Sequence, residues 1–466
     1  MIKRLLFVLL SVITYCSFSQ GEMTLPMMQH VYQASYYNPA AMPDHKVSIG
    51  LPILSSLQTG YINTGFLFYN GFVKENGVQT FSLDAIVNSM QKNNTLYYGL
   101  QTDFFHLRIK WRNSFVFFDA GNTTNIYANY SKDLFKFLTF QFADPTTGKG
   151  NVFDLSNTEF KLMSYNHFGI GLSKHFRKFS LGGRVKLLQG LAAAHFVSDN
   201  LKVGFGEDMY EIYLQNSGTL YTSGFNDVDA SVATQLKNLG FALDLGGTYK
   251  PIDKLTFALS AVNLGFINWN HKIDNSKYRM DEAKGPFRGA DILGPVLQGD
   301  SLGNFAIQDS IANYFETNVD SSVKTQAFRT NLTPRVYLSA TYDILPRLSV
   351  SASVKFELLR EINYAFMLGA QYKITRFFSL TGSFVSQYSQ PRVGVGVVFK
   401  PGPFQFYIAT DNIFPTYYRV GTSRINGNEI EPLVPLPLNE KTMNIRFGMN
   451  LVFGKILGPR KQAFNY

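Results

Sequence analysis

The chain has 466 residues, of which 15% are aromatic and only 16% charged, with 42 Phe, 26 Tyr and 38 Gly. That balance excludes a disordered chain, a bundle of membrane helices and a helix-rich soluble enzyme. The net charge of +10 comes from Lys and Arg scattered beside turns; this argues against nucleic acid and for an anionic surface of phospholipid or lipopolysaccharide head groups.

Residues 1–19 read as a cleaved signal peptide. Lys3 and Arg4 precede an apolar run, and Ser17 and Ser19 flank the small-x-small site before Gln20. The run is too short to span a bilayer as a helix. Cys16 is the single cysteine, and Thr14 and Tyr15 before it are wrong for lipidation, so the mature chain has no disulfide or thiolate chemistry. Residues 20–57 are assigned to an N-terminal hatch or plug segment. A short helix is expected from Met27 to Gln33, ending before Asn38-Pro39 because the residue before proline avoids the helical region.

From there the dominant signal is alternation of period two. Leu348, Val350, Ala352, Val354 and Phe356 alternate with Ser349, Ser351, Ser353 and Lys355, and Ile445, Phe447, Met449 and Leu451 with Arg446, Gly448 and Asn450. In a strand the two sets face opposite ways. One lipid-like face and one polar face, over strands of about ten residues, is the pattern of a transmembrane β-barrel. Short turns near 111–113, 174–178, 250–254, 343–347, 373–376 and 400–403 define strand pairs at 95–109/114–130, 158–174/178–191, 238–250/254–269, 330–343/347–359, 362–373/376–388 and 391–400/403–411, with a last strand at 441–454. Barrels of this kind have an even strand number, so 61–72 is assigned as the missing first strand. The expectation is an all-β antiparallel barrel of about 14 strands, with 12 or 16 left open because the 192–238 region could hide a further hairpin. The domains are then 1–19 signal peptide, 20–57 hatch, 58–454 barrel and 455–466 tail. Residues 82–91 read as a short amphipathic helix outside, in company with long outer connections at 131–158, 192–238, 270–330 and 411–441. Aromatic pairs such as Tyr97-Tyr98 and Phe117-Phe118, together with Trp269, are expected in interfacial girdles. The glycines at 182–183 and 246–247 are expected to weaken strand pairing and mark a lateral weak point.

The stretch Tyr36-Tyr37-Asn38-Pro39-Ala40-Ala41-Met42-Pro43, placed between a short helix and a barrel, resembles the FadL-like superfamily of outer-membrane proteins. The resemblance implies that Asn38, Pro39 and Ala40 form the motif of a hatch inside a fourteen-stranded barrel that imports hydrophobic molecules. Gly50-Leu51-Pro52 and the C-terminal 446–454 strand resemble an uncharacterised Bacteroidota branch, a domain of unknown function related to barrels of type IX secretion. That implies a location in the outer membrane of a Gram-negative cell.

No nucleotide loop, metalloprotease motif, nucleophile elbow or Cys-x-x-Cys occurs. Catalytic residues, metal ligands and cofactors are therefore expected to be absent. Asp227-Val228-Asp229 lies in an outer loop and reads as solvated rather than as a cation site. Lys355, Arg392 and Arg446 are the candidate lumen charges, since a charge on the lipid face costs about 2–4 kcal/mol. They read as a network holding the plug in preference to a ligand site. Two functions from different classes fit. One is a passive channel for a small hydrophobic or amphiphilic molecule; the other is an anchor for secretion-system or surface proteins. A lipid-modifying barrel hydrolase is a remote third.

Overall fold

The computed structural model describes residues 22–52, 54–75, 78–139, 147–205, 212–224, 237–271, 273–279, 322–323, 326–358, 362–387, 390–413, 418–419, 423–425, 428–430, 433–434 and 441–455. The signal peptide, Asp227-Val228-Asp229 and all but the first residue of the tail lie outside the described residues.

The alternation does what the sequence demands. In the strand Phe378–Gln387 the small polar residues Ser379, Thr381 and Ser383 are buried, while Leu380 and Phe384 are 41% and 47% exposed. A water-soluble protein would bury the reverse set. The same inside-out burial recurs around a closed ring of 14 antiparallel strands. They are β1 (His45–Gly50, resuming at Leu57–Asn63), β2 (Asn93–Trp111), β3 (Ser114–Ser131), β4 (Glu159–His175), β5 (Phe179–Phe205), β6 (Leu239–Ile252) and β7 (Leu255–Trp269). The second half holds β8 (Arg335–Leu345), β9 (Leu348–Leu358), β10 (Ile362–Lys373), β11 (Phe378–Gln387), β12 (Gln390–Phe399), β13 (Phe404–Thr410) and β14 (Thr442–Lys455). The ring closes where β1 pairs with β2 on one side and β14 on the other. No edge is left unpaired there, and none could be tolerated in hydrocarbon.

Four features depart from the sequence reading. The first strand is His45–Gly50 and Leu57–Asn63, not 61–72, and the barrel therefore begins at 45 rather than 58. Its alternation is hidden by a break at Leu51-Pro52, where proline has no N–H for the ladder. The Leu54 and Ser56 carbonyls bridge the gap by accepting from Met449 and Asp103 N–H. The expected helix from Met27 to Gln33 is replaced by two 3₁₀ turns, Leu25–Met27 and Tyr32–Tyr36, separated at Val31, which is extended. Aromatic pairs do not all sit in girdles: Tyr97 and Phe117 are buried inside, because neighbours in a strand face opposite sides. Trp269 is also fully buried, with its indole N–H donating to Thr330 Oγ1 at 2.8 Å.

The reason for Trp269 is a β-bulge. Asn263 has φ 61°, and it and Val262 together oppose Asp244 of β6. The extra residue flips the phase of β7. Before it Ser260 and Val262 are buried and Leu259 is exposed; after it Ile267 and Trp269 are buried. The Asp244 carboxylate accepts the Asn263 N–H at 2.7 Å, and Lys186 donates to the Asn263 side chain at 2.8 Å.

At the long-loop end α1 (Leu83–Ser89) lies within the expected 82–91 helix and is capped by Ser82, whose hydroxyl accepts from Ala85 N–H. A second short helix, α2 (Lys132–Leu138), is capped likewise by Ser131. The strand Ile212–Ser223 pairs with the far half of β5 and with Ile273–Arg279. The 192–238 region thus holds a hairpin, but it extends the wall beyond the ring rather than widening it.

Replacing Asn263 with Val places a β-branched residue at positive φ, at a cost of about 1–3 kcal/mol. The heating temperature at which the purified barrel loses its compact electrophoretic form should fall, whereas Asn263→Gly should shift it less.

Candidate functional site

Charged side chains of the described strands such as Arg108, Asp119, Arg184, Asp244 and Arg446 are buried inside, and residues 22–44 supply many of their partners. Arg446 of β14 is 1% exposed. Its guanidinium donates to Glu22 at 3.0 Å, to Ser56 at 2.9 Å and to Gln58. Burial pushes the Glu22 carboxyl up to about 7, against the pull of Arg446 and the Tyr37 hydroxyl. Asp411, just after β13, accepts the Met23 and Thr24 N–H groups, both at 2.9 Å, and the Thr24 hydroxyl at 2.6 Å. Gln33 and Asn450 exchange a reciprocal pair of amide hydrogen bonds, each 3.0 Å.

The opposite side of the ring holds the rest of the segment. Arg184 of β5 donates to the Ser35 carbonyl at 2.6 Å, lies 3.4 Å from Asp119 of β3 and covers the Tyr36 ring. Arg108 of β2 donates to the Ala41 carbonyl at 2.6 Å. Tyr32 stacks on His106, ring centroids 3.7 Å apart. Ser260 of β7 donates to the Tyr37 carbonyl. Partners on β2, β3, β5, β7, β13 and β14 thus surround residues 22–44, which places them inside the ring.

Asn38, Pro39 and Ala40 lie against the wall. The Asn38 carboxamide oxygen accepts the Ala40 N–H at 2.9 Å, and its NH₂ reaches the Gly247 carbonyl at 3.4 Å. Gly182 and Gly246 are directly paired across β5 and β6. A β-carbon on Gly182 would collide with Pro39 and Ala40, and one on Gly246 with Asn38. These two glycines are therefore the seat of the Asn-Pro-Ala element. The expected weak point is absent from the ladder: pairing runs unbroken from Leu239↔Gln189 to Tyr249↔Phe179. Glycine weakens a strand only where no other contact compensates, and here the seated segment does.

Lys355 and Arg392 are 0% and 5% exposed. Lys355 is 3.9 Å from Glu357, which also accepts from Arg335 at 2.7 Å; Arg392 donates to the Gln387 carbonyl. The structure thus joins Arg446 to the N-terminal segment and leaves Lys355 and Arg392 in wall-to-wall contacts. Sequence reasoning missed Glu22, Asp119, Arg184, Asp244 and Asp411. Their signal was available: each strand member is a charge on the polar phase of an apolar strand.

Among the described residues, cavities lie along the interior. One of about 920 Å³ at the long-loop end is lined by Tyr127, Glu159, Lys161 and His195 among others. It shares Tyr97, Asn125 and Leu332 with a cavity of about 80 Å³ at mid-height, lined by Arg184, Lys186, Arg335, Arg446, His167 and five tyrosines. A third, of about 310 Å³, opens below residues 22–44 toward Lys110, His175 and Lys250. The middle and lower cavities have Tyr37 and Tyr337 in common, and these rings meet edge to face at 5.5 Å. Among the described residues no group of three His, Cys, Asp or Glu is placed to hold a metal ion.

A family described as a family of unknown function (DUF5723) matches residues 39–411. The chain belongs to that family. No curated protein matches it. Among solved structures, this DUF5723 barrel is similar to a TodX deltaS2S3 mutant monoaromatic hydrocarbon channel, with 10% identity over 91% of this chain and 94% of that one, TM-score 0.43. It is similar to a Pseudomonas aeruginosa FadL homologue, with 13% identity over 91% and 94%, TM-score 0.41. It is also similar to the Ralstonia pickettii toluene transporter TbuX, with 10% identity over 95% and 97%, TM-score 0.39. With scores this low, the function of the DUF5723 barrel has to be argued from its own residues.

Arg446→Met leaves the Glu22 carboxyl buried without its cation, a loss of about 3–5 kcal/mol in docking of the segment. Residues 22–44 should then be cut faster by protease than in the parent, with the barrel intact; adding Glu22→Gln should restore part of the protection. Gly246→Leu should have the same effect on protection by filling the seat of Asn38.

Proposed function

We propose that the protein is an outer-membrane barrel that lets small amphiphilic molecules pass passively, with residues 22–44 as its plug. The observation that carries this reading is the sequence of three interior cavities, divided at Tyr37 and Tyr337 and walled by cations and tyrosines. A closed belt of exposed Phe, Leu and Val outside suits a bilayer. The lining favours a molecule with an apolar body and an anionic or hydroxyl head: tyrosine rings accept the body, and Arg184, Lys186 and Arg335 accept the head. Passage needs the plug to shift, and hydrogen bonds and ion pairs, which water can replace, hold it.

Two arrangements follow for the same chain. In the docked arrangement the mid-height space of about 80 Å³ is too small for such a molecule. In the shifted arrangement the middle and lower cavities merge. Removing the Tyr337 ring takes away one side of the division without touching the Asn-Pro-Ala seat.

The test is flux of small aromatic carboxylates into vesicles carrying the purified barrel. Tyr337→Ala should raise the rate severalfold, and Gly246→Leu, which unseats the plug, should raise it further. Equal rates for the parent and both variants would sink the reading.

A second reading has one observation in its favour. The β5 strand runs for 27 residues and with Ile212–Ser223 and Ile273–Arg279 forms a sheet standing beyond the ring. Such a ledge suits docking of a secretion-system or surface protein. Removing 212–223 should then release a stoichiometric partner from the purified complex while carboxylate flux stays as in the parent.

A further inference from the structure

The lipid-facing surface is not uniform. Across β5 to β10 a groove of about 500 Å³ is cut into it. Its floor is Gly247, Ala340 and Ala352, and its flanks include Leu181, Phe257 and Phe366. The register lines these up: Gly247 pairs with Leu181 and Leu259, and Ala340 pairs with Phe257 and Ala352. Gly247 is the informative residue. Unlike its neighbour Gly246, it would accept a β-carbon with only ordinary contacts. The barrel's own packing does not require glycine there, and its missing side chain deepens the groove.

The groove runs toward the short-turn end, where the same strands finish in bases. Lys178 precedes Phe179, Lys250 follows Tyr249, Lys254 precedes Leu255 and Arg347 precedes Leu348. All four are exposed. The Lys250 N–H donates to the Lys178 carbonyl at 2.8 Å, so these two lie side by side. Asp253 and Asp343 are the acids on these turns, which leaves an excess of positive charge. Among the described residues none of the four bases is held in an ion pair, whereas inside the barrel every buried base named above has a partner.

We propose that this groove is a binding site for one anionic phospholipid, with an acyl chain over Gly247, Ala340 and Ala352 and the phosphate head group on Lys178, Lys250, Lys254 and Arg347. Charge complementarity chooses the occupant. An apolar groove alone would accept any hydrocarbon; four unpaired bases at its end select an anion that is tethered to one. The site lies on the outer face of the wall, back to back with the lower cavity across Thr248, Ala258, Ser339 and Ser353, and is independent of the transport reading.

Native mass spectrometry of the detergent-purified full chain tests it, with phosphatidylglycerol or phosphatidylethanolamine of identical acyl chains added. Phosphatidylglycerol should be retained more strongly. Changing Lys178, Lys250, Lys254 and Arg347 together to Gln should lower its retention about tenfold or more, to the level of the zwitterionic lipid. Lys46→Gln, on β1 at the same end but far round the ring, should leave it unchanged. Gly247→Leu with Ala352→Leu should reduce retention of both lipids. Heat-dependent electrophoretic mobility checks that each variant is folded. Equal retention of the two lipids by the parent, or undiminished retention by the four-base variant, would overturn the site. So would a dimer mass that carries no lipid and disappears in the Leu variant; that result would assign the groove to a second copy of the chain.

Discussion

Everything in this molecule depends on one constraint: a sheet in hydrocarbon has no water to satisfy its backbone, so it must close on itself. Closure puts the first strand between the second and the last, even though β1 is the most irregular strand in the ring. The Leu51-Pro52 break would be an open gap in an isolated sheet. Here carbonyls of the intervening loop and Ser55 and Ser56 fill it, with the Ser55 carbonyl accepting from Gln33 and Tyr407. Closure also inverts the usual meaning of burial. The buried side is the polar side, and each charge on it must find a partner or stay neutral.

The strands do not supply all of those partners. Arg108, Arg184 and Arg446 each donate to an atom of residues 22–44: the Ala41 carbonyl, the Ser35 carbonyl and the Glu22 carboxylate. The segment is in turn short of its own partners. The Met23 and Thr24 N–H groups ahead of its first 3₁₀ turn are accepted by Asp411, and its side-chain amide at Gln33 is matched by Asn450. Wall and segment therefore complete one another electrostatically. That mutual dependence is of a kind that a few small changes in hydration could reverse, unlike a packed apolar core.

Much of this was legible in the residues. Period-two alternation over ten-residue stretches, with turns rich in Lys, Arg and Pro, specified strand positions from β2 to β14 closely. Parity then specified their number. The first strand was not legible, because proline interrupts it and half of it lies in a stretch without alternation. Trp269 was assigned to the wrong face for a different reason. A single extra residue at Asn263 inverts everything after it, and a bulge has no strong signature when the residue is not glycine. The interior was half legible. Arg446, Lys355 and Arg392 stand out on polar phases, but which of them meets Glu22 depends on where a segment without periodicity lies. The glycines at 182 and 246 were read as weakness because a sequence reveals missing side chains without revealing what occupies their room.

The Glu22–Arg446 and Gln33–Asn450 contacts join residues 424 and 417 positions apart. They tie nearly the first described residues to the last strand. Contacts of such sequence separation are the latest to form, since they wait for the loop between them to be ordered. Residues 22 and 33 cannot take up these contacts until β14 is in place beside β1. The place of the N-terminal segment against Arg446 and Asn450 is therefore defined only once the ring has its last strand. A docked segment is in effect a certificate that the ring is complete.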